Sequence, residues 1–337
     1  MKRIFNLLLA LIIAACALPL TACQKSDVLY LNVFNAEEYI SEYDEEWETV
    51  DAIAAFEEYA TEKYGKKVVV NYSTFGTLEN MYNELQLTKK KGKNGYTYAY
   101  DLVCPSDYMI QRMINEDMLE RYDMNEDGTY AALENYNDNA STFIQELFNG
   151  KTEKDEVTGY EGKWSEYAAC YMWGTMGFVY NPEVLAANTA GGDIEDIVNS
   201  WSLPWNAYFK NLGTIKDSIR DTYALAVGYT YRDELTALLS LKEDGVLSQD
   251  EYQAALIKVF NNVNTPLLDE FKEAGLSGKK LDAVYSLFKK YEGKNTVDLV
   301  SVNLKNLKSN VYGFEVDSGK KDMAAGKIAI NFAWSGD

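Results

Sequence analysis

Histidine is missing from all 337 residues. Its absence removes the usual zinc ligand and the usual titrating group near neutral pH. It also excludes Ser-His-Asp and Cys-His catalysis within this chain. Basic residues are scarce, 32 against 52 acids, so the formal charge is -20. A field of that sign repels nucleic acid and anionic lipid and attracts cations, while many of the acids serve solubility alone. Cysteine occurs four times. Cys104 and Cys170 lie in apolar segments and read as two small buried hydrophobes, with a disulfide between them as the alternative outside a cell. Their spacing makes no metal motif. No apolar run is long enough for a comfortable membrane span. What remains is a chain 47% apolar, long enough for two lobes and a sizeable core.

The first residues carry their own signal. Lys2 and Arg3 precede an apolar run from Leu7 to Leu18, and Leu20-Thr21-Ala22-Cys23 follows. A basic start, a short apolar stretch and small residues before a cut describe an export signal. The cysteine directly after them resembles the lipobox of bacterial lipoproteins. On that reading residues 1–22 are a signal peptide, Cys23 is lipidated and residues 23–27 are a tether. The protein then sits outside the cytoplasmic membrane, held to its outer face by lipid. A plain secretory signal cut nearby is the alternative.

Beyond the tether, periodicity alternates. Val28 to Asn35 reads as a strand, Asp51 to Tyr64 as a helix stopped by Gly65, and Lys67 to Tyr72 as a second strand. Thr77 to Thr88 is a second helix, Lys89 to Asn94 a basic surface turn, Tyr100 to Cys104 a third strand and Tyr108 to Leu119 a third helix. That order implies an α/β fold with a parallel sheet and helices on its faces. Ligands of such sheets sit beyond the carboxyl ends of the strands. A polar stretch from Asn125 to Thr158, with one short helical piece at Ser141 to Phe148, reads as a lobe boundary. Cys170 to Asn181 then reads as an apolar strand pair, Trp201 to Phe209 as a short packed helix and Thr222 to Tyr291 as mostly helical. Ser248-Gln249-Asp250-Glu251 is a capping box. Lys327 to Trp334 is a last strand.

These residues resemble a family. Asn32-Val33-Phe34-Asn35 with Glu38-Tyr39-Ile40 come first, then Tyr100-Asp101-Leu102-Val103 with Pro105-Ser106-Asp107-Tyr108, then Trp173-Gly174-Thr175. Asp217-Ser218-x-Arg220-Asp221 and Ala333-Trp334-Ser335-Gly336-Asp337 continue the match in order. The chain resembles the spermidine/putrescine-binding proteins of ABC importers. The resemblance implies a two-lobed periplasmic-binding-protein fold of type II. Each lobe is then a mostly parallel sheet flanked by helices, with the ligand in the cleft between lobes. The first lobe is expected over residues 28–135 and the second over 136–337, with a helical insertion at about 222–310. The family's chain crosses between lobes more than once, and its returning portion is not in this sequence, so a truncated chain is expected.

A polyamine is an alkyl chain with ammonium groups at intervals, so its receptor needs carboxylates for the ammoniums and aromatic faces for the methylenes. Cation–π contacts contribute about 0.5–2 kcal/mol each, and charge-assisted hydrogen bonds are the strong ones. By resemblance, Glu38 and Tyr39 approach the ligand from the exit of the first strand. Ser106 and Tyr108 approach from the exit of the third. Asp221 pairs an ammonium from the second lobe and Trp334 stacks on the alkyl chain. Ala36 departs from the family, which commonly places a tryptophan there, and Glu37 adds a carboxylate beside it. Each residue has a plainer reading. Tyr39, Tyr108 and Trp334 could be packing residues, Asp221 a partner of Arg220 or a helix cap, and Glu37 and Glu38 solvated loop acids.

Asp123-x-Asn125-x-Asp127-Gly128 with Glu134 fits the EF-hand loop pattern, although Tyr130 sits where an aliphatic is usual. An ordinary acidic turn is the expected reading, and no metal or other cofactor is expected. Asp244-Gly245 with Glu251 fails as a metal loop, because Lys242 stands where a ligand oxygen is required. The function that follows is a monomeric receptor, without catalytic residues. It captures a polyamine ligand and delivers it to an ABC transporter permease, with no nucleic-acid partner and only a lipid anchor in the membrane. The alternatives are a receptor of the same fold for another small solute, a sensor that reports polyamine without transport, and a lipid-anchored hydrolase using paired carboxylates.

Overall fold

The computed structural model describes residues 28–92, 95–188, 194–198 and 200–335. The expected signal peptide, the expected lipidation site Cys23 and the expected tether, with Gly336 and Asp337, lie outside the described residues. The chain forms two compact units. The first takes residues up to Phe75 and Tyr82–Pro105, and the second takes Gly76–Met81 and the chain from Ser106 onward.

In the first unit, β1 (Val28–Ala36) pairs in parallel with β2 (Lys67–Phe75) along its whole length, from Val28↔Lys67 to Ala36↔Phe75. Between them runs α1 (Ala52–Tyr64). Asp51 starts it by accepting the Ala54 N–H at 2.9 Å, and Gly65 ends it at φ 62°, a conformation glycine adopts without steric cost. α1 is tied to β2 by side chains, Thr61 accepting from the Val68 N–H at 2.9 Å and Glu57 from the Val70 N–H at 2.7 Å. After α2 (Leu78–Thr88), β3 (Leu102–Val103) joins the other side of β1, also in parallel. Phe34 fills the middle, stacked on Tyr100 at 4.3 Å and edge-on to Phe75 at 5.1 Å. The expected basic turn is instead a short antiparallel ribbon, Lys90–Gly92 against Gly95–Thr97. Tyr96 and Thr97 favour extended backbone, and Lys89 lies over the Tyr96 ring at 4.0 Å.

The second unit begins with α3 (Asp107–Asn115), whose buried Met109, Ile110, Met113 and Ile114 form one face. Ile110 and Ile114 pack with Ile144 and Phe148 of α4 (Thr142–Gly150) and with Trp164. Its sheet has the order β6-β5-β7-β4, built from β4 (Met176–Tyr180), β5 (Gly213–Lys216), β6 (Gly313–Glu315) and β7 (Ile330–Trp334). β5 is parallel to both β6 and β7, and β4 is antiparallel to β7.

Two sequence expectations change here. Cys170 to Asn181 is not a strand pair. Only Met176–Tyr180 is extended and paired, and its partner is β7, far along the chain. Trp173, in the unpaired half, is 62% exposed and leans on Phe143 at 5.6 Å. Apolarity there reflects exposed aromatics, not ladder pairing. Trp201 to Phe209 is a pair of single 3₁₀ turns, Leu203–Trp205 and Ala207–Phe209, because Pro204 and the Asn206 cap interrupt any longer helix. Cys104 and Cys170 are free thiols of intermediate burial, on different units. Burial pushes the Cys104 thiol up to about 11.

From β5 the chain enters a helical block: α5 (Ile219–Thr230), α6 (Arg232–Glu243), α7 (Gln249–Asn261), α8 (Leu267–Glu273), α9 (Gly278–Phe288) and α10 (Thr296–Asn310). It has its own apolar core around Tyr231, Leu238, Val259, Phe271, Phe288 and Val300. The capping box at α7 is complete, Ser248 accepting from the Glu251 N–H at 3.2 Å and Glu251 accepting from the Ser248 N–H at 2.8 Å. α11 (Ser318–Ala324) then leads back to the sheet at β7. Among the described residues, no helix is long and apolar enough to cross a membrane.

Candidate functional site

Three helix starts meet in the second unit. β5 ends at Lys216, and Ser218 caps α5, which places Arg220 and Asp221 in its first turn. α3 opens with Asp107 and Tyr108, and α2 opens with Leu78 and Glu79. Acids in first turns are favoured by the helix dipole, so all three carboxylates stand where sequence preference puts them.

Arg220 joins them. Its Nη1 donates to Asp107 Oδ1, and its Nε donates to Asp221 Oδ1 at 3.2 Å. The guanidinium carbon lies 5.0 Å from the centre of the Tyr108 ring, within cation–π range. The Tyr108 hydroxyl donates to Glu79 Oε1 at 3.2 Å. Burial pushes the Tyr108 phenol far above its ordinary value, and the Glu79 and Asp221 charges push it further. The Asp221 side chain is the most enclosed of the set, 10% exposed, while Arg220 is 34% and Asp107 45% exposed. The arrangement is one cation and one aromatic face enclosed by three carboxylates. Such a set can hold an organic cation by charge-assisted hydrogen bonds and ring contact.

The expected site residues fall into two groups. Tyr108 and Asp221 are brought together around Arg220. Ser106 stands next to them at the N-cap of α3, its hydroxyl making no cap bond while its carbonyl accepts from Met109 and Ile110. Trp334 is the last residue of β7, half-buried and opposite Met176. β7 runs parallel to β5, so Trp334 and Asp221 both follow carboxyl ends of neighbouring strands. Glu37, Glu38 and Tyr39 belong to the first unit. Glu37 and Glu38 are exposed, and Glu38 takes the left-handed φ of 58°, uncommon for a residue other than glycine, asparagine or aspartate. The buried Asn35 side chain fixes this loop, donating to the Tyr39 carbonyl at 3.3 Å and accepting from the Ala36 N–H at 2.8 Å.

Asp107 and Glu79 were not foreseen as site residues. Asp107 stands inside the Pro105-Ser106-Asp107-Tyr108 motif, but nothing local marks it as the partner of a residue 113 positions away. The pairing of Asp221 with Arg220, its plainer reading, is present. The EF-hand-like loop is a tight turn. Asp127 Oδ1 accepts from both the N–H and the hydroxyl of Thr129, and Asn125 donates to the same hydroxyl. Those bonds hold the Asp127 carboxyl below its ordinary value. Among the described residues no cluster of three or more acidic or cysteine side chains could hold a metal ion.

No family model matches the chain. Curated proteins similar to it over 213 residues, 63% of this chain and 47% of each relative, include the spermidine/putrescine-binding periplasmic proteins of Salmonella typhimurium, 26% identical, and of Escherichia coli, 25% identical. The chain thus spans about half the length of the curated relatives it matches. Among solved structures, a Listeria monocytogenes chain assigned to a spermidine/putrescine ABC transporter aligns over 91% of this chain and 63% of its own, at 18% identity and a TM-score of 0.48. The architecture itself is α/β, mostly parallel sheets flanked by helices. By sequence, the chain is a distant relative of the spermidine/putrescine-binding periplasmic proteins.

Proposed function

We propose that this protein is an extracytoplasmic receptor that binds a polyamine, spermidine or putrescine, and delivers it to an ABC transporter permease. The observation that carries the reading is its similarity to proteins named for spermidine and putrescine binding. The local chemistry agrees with a cationic ligand: Asp107, Asp221 and Glu79 surround Tyr108, and the only arginine among them is already paired. An anion receptor needs free cations or open helix N-termini at its site. Here acids occupy those first turns. The relatives are named as binding proteins, and no catalytic step is assigned to this chain.

In this reading Asp221 pairs one ammonium, Tyr108 and Trp334 contact the methylenes, and Ser106 offers its hydroxyl. Glu37, Glu38 and Tyr39 are further ligand contacts, residues 28–135 and 136–337 serve as the two lobes, and a lipid on Cys23 holds the receptor at the membrane. Ala36 favours a second reading. The missing tryptophan removes an aromatic wall, which suits a bulkier or differently spaced organic cation.

Titration calorimetry of the chain from Cys23 with spermidine and putrescine, beside Asp221→Ala, tests the proposal. A charge-assisted hydrogen bond contributes about 1.5–3 kcal/mol, so the variant should bind about ten- to hundredfold more weakly. Saturable binding weakened in this way supports polyamine capture. Absence of heat with both ligands, confirmed at several temperatures, refutes it and leaves the second reading.

A further inference from the structure

The guanidinium of Arg220 does chemically what a ligand ammonium does. It is a cation, it bridges two carboxylates from different helices, and it rests against an aromatic ring. All three of its contacts, Asp107, Asp221 and Tyr108, suit an alkylammonium equally well. We propose that Arg220 is an internal stand-in for the ligand, seated between Asp107 and Asp221 in the unliganded protein and displaced when an organic dication binds. This inference rests on the polyamine reading and specifies how its site is kept occupied.

Three features support exchange over a fixed structural role. Arg220 is one-third exposed and Asp107 nearly half, so water already reaches both partners of the pair. The arginine stem is long and its head weakly hydrated, which keeps the cost of moving between protein and solvent low. The neighbouring cation on the same chain segment, Lys216, is held differently. Its ammonium is almost fully buried and donates to the Val316 carbonyl at 2.7 Å. The segment therefore already has one sealed ion cluster, and the Arg220 cluster is not needed to close the end of β5.

The stand-in has a consequence for selectivity. With Arg220 in place, the carboxylates of Asp107 and Asp221 are partly neutralised. A weak monovalent cation gains too little to displace the guanidinium. A dication or trication that also makes contacts elsewhere gains enough. Arg220 thus acts as a threshold against simple amines.

The test compares wild type, Arg220→Gln and Arg220→Ala by calorimetry with spermidine, putrescine and butylamine, with folding checked by circular dichroism. Removing the competitor should tighten spermidine binding by at least about tenfold and should make butylamine binding measurable. If wild type binds spermidine and Arg220→Gln binds equally or more weakly, the stand-in idea fails while polyamine capture stands. If wild type is silent and Arg220→Gln binds, Arg220 blocks the seat without yielding it, and both the displacement and the wild-type polyamine reading fail. If both are silent, ethylguanidinium decides. At low millimolar concentration it should raise the thermal midpoint of Arg220→Ala and not of wild type, by filling the emptied seat. An equal response in both proteins overturns the inference.

Discussion

Two cation clusters stand four residues apart at the end of β5, and they are built to opposite specifications. Lys216 is 6% exposed and faces Glu315, 4% exposed, and Asp317, 10% exposed, at 3.8 and 3.7 Å. Arg220 is 34% exposed and faces one carboxylate that is enclosed and one that is open. The first cluster joins β5 to β6 and to the first turn of α11, since Glu315 also accepts the Gly319 N–H at 2.9 Å. The second joins α5 to α3. Breaking a buried charge pair strands an ion in low dielectric, whereas breaking a half-exposed one lets water replace the partner. The difference teaches that one cluster holds the fold and the other can afford to open.

The largest expected effect breaks the sealed cluster. Lys216→Met leaves Glu315 and Asp317 facing each other without their shared cation. The variant should lose about 3–5 kcal/mol of stability, read from urea denaturation at neutral pH. A loss below about 1 kcal/mol would show that water reaches this end of the sheet and that the two clusters are alike.

The matching change at the open cluster should be mild. Arg220→Gln should cost no more than about 1 kcal/mol in the same denaturation experiment, because solvent screens the exposed pair. If its loss rivals that of Lys216→Met, Arg220 is a structural clamp and the contrast disappears.

The contrast also marks what could be read from the chain. The helices were legible because their signals are local: Asp51 and Gly65 bracket α1, and Ser248 with Glu251 opens α7. The parallel order β1-α1-β2 followed from the alternation of apolar periods. The second sheet was less legible. β4 pairs with β7, about 150 residues away, and an apolar run alone does not say which strand will accept it. At the site, Tyr108 and Asp221 could be named only through a family resemblance. Asp107, Glu79 and the bridging role of Arg220 depend on three helix starts meeting in space, which no spacing rule encodes.

The smallest effect concerns Tyr108 and sharpens the open cluster's electrostatics. Its phenol is pushed above the ordinary value near 10, by burial first and then by Glu79 and Asp221. A raised folded value means that the native state keeps a proton that the unfolded chain releases. The contribution is therefore complete below pH 10 and is lost as pH climbs from the unfolded value toward the folded one. Tyr108→Phe cannot ionise. It should be less stable than wild type at pH 8, by about 1 kcal/mol for the lost bond to Glu79. The gap should narrow steadily above pH 10, where only wild type has a phenol that resists ionisation in the folded state. Urea midpoints of both proteins at pH 8, 9.5 and 10.5 measure this. A gap that stays constant would mean that Tyr108 ionises normally, and that the carboxylates around Arg220 are more hydrated than the enclosed Asp221 side chain implies.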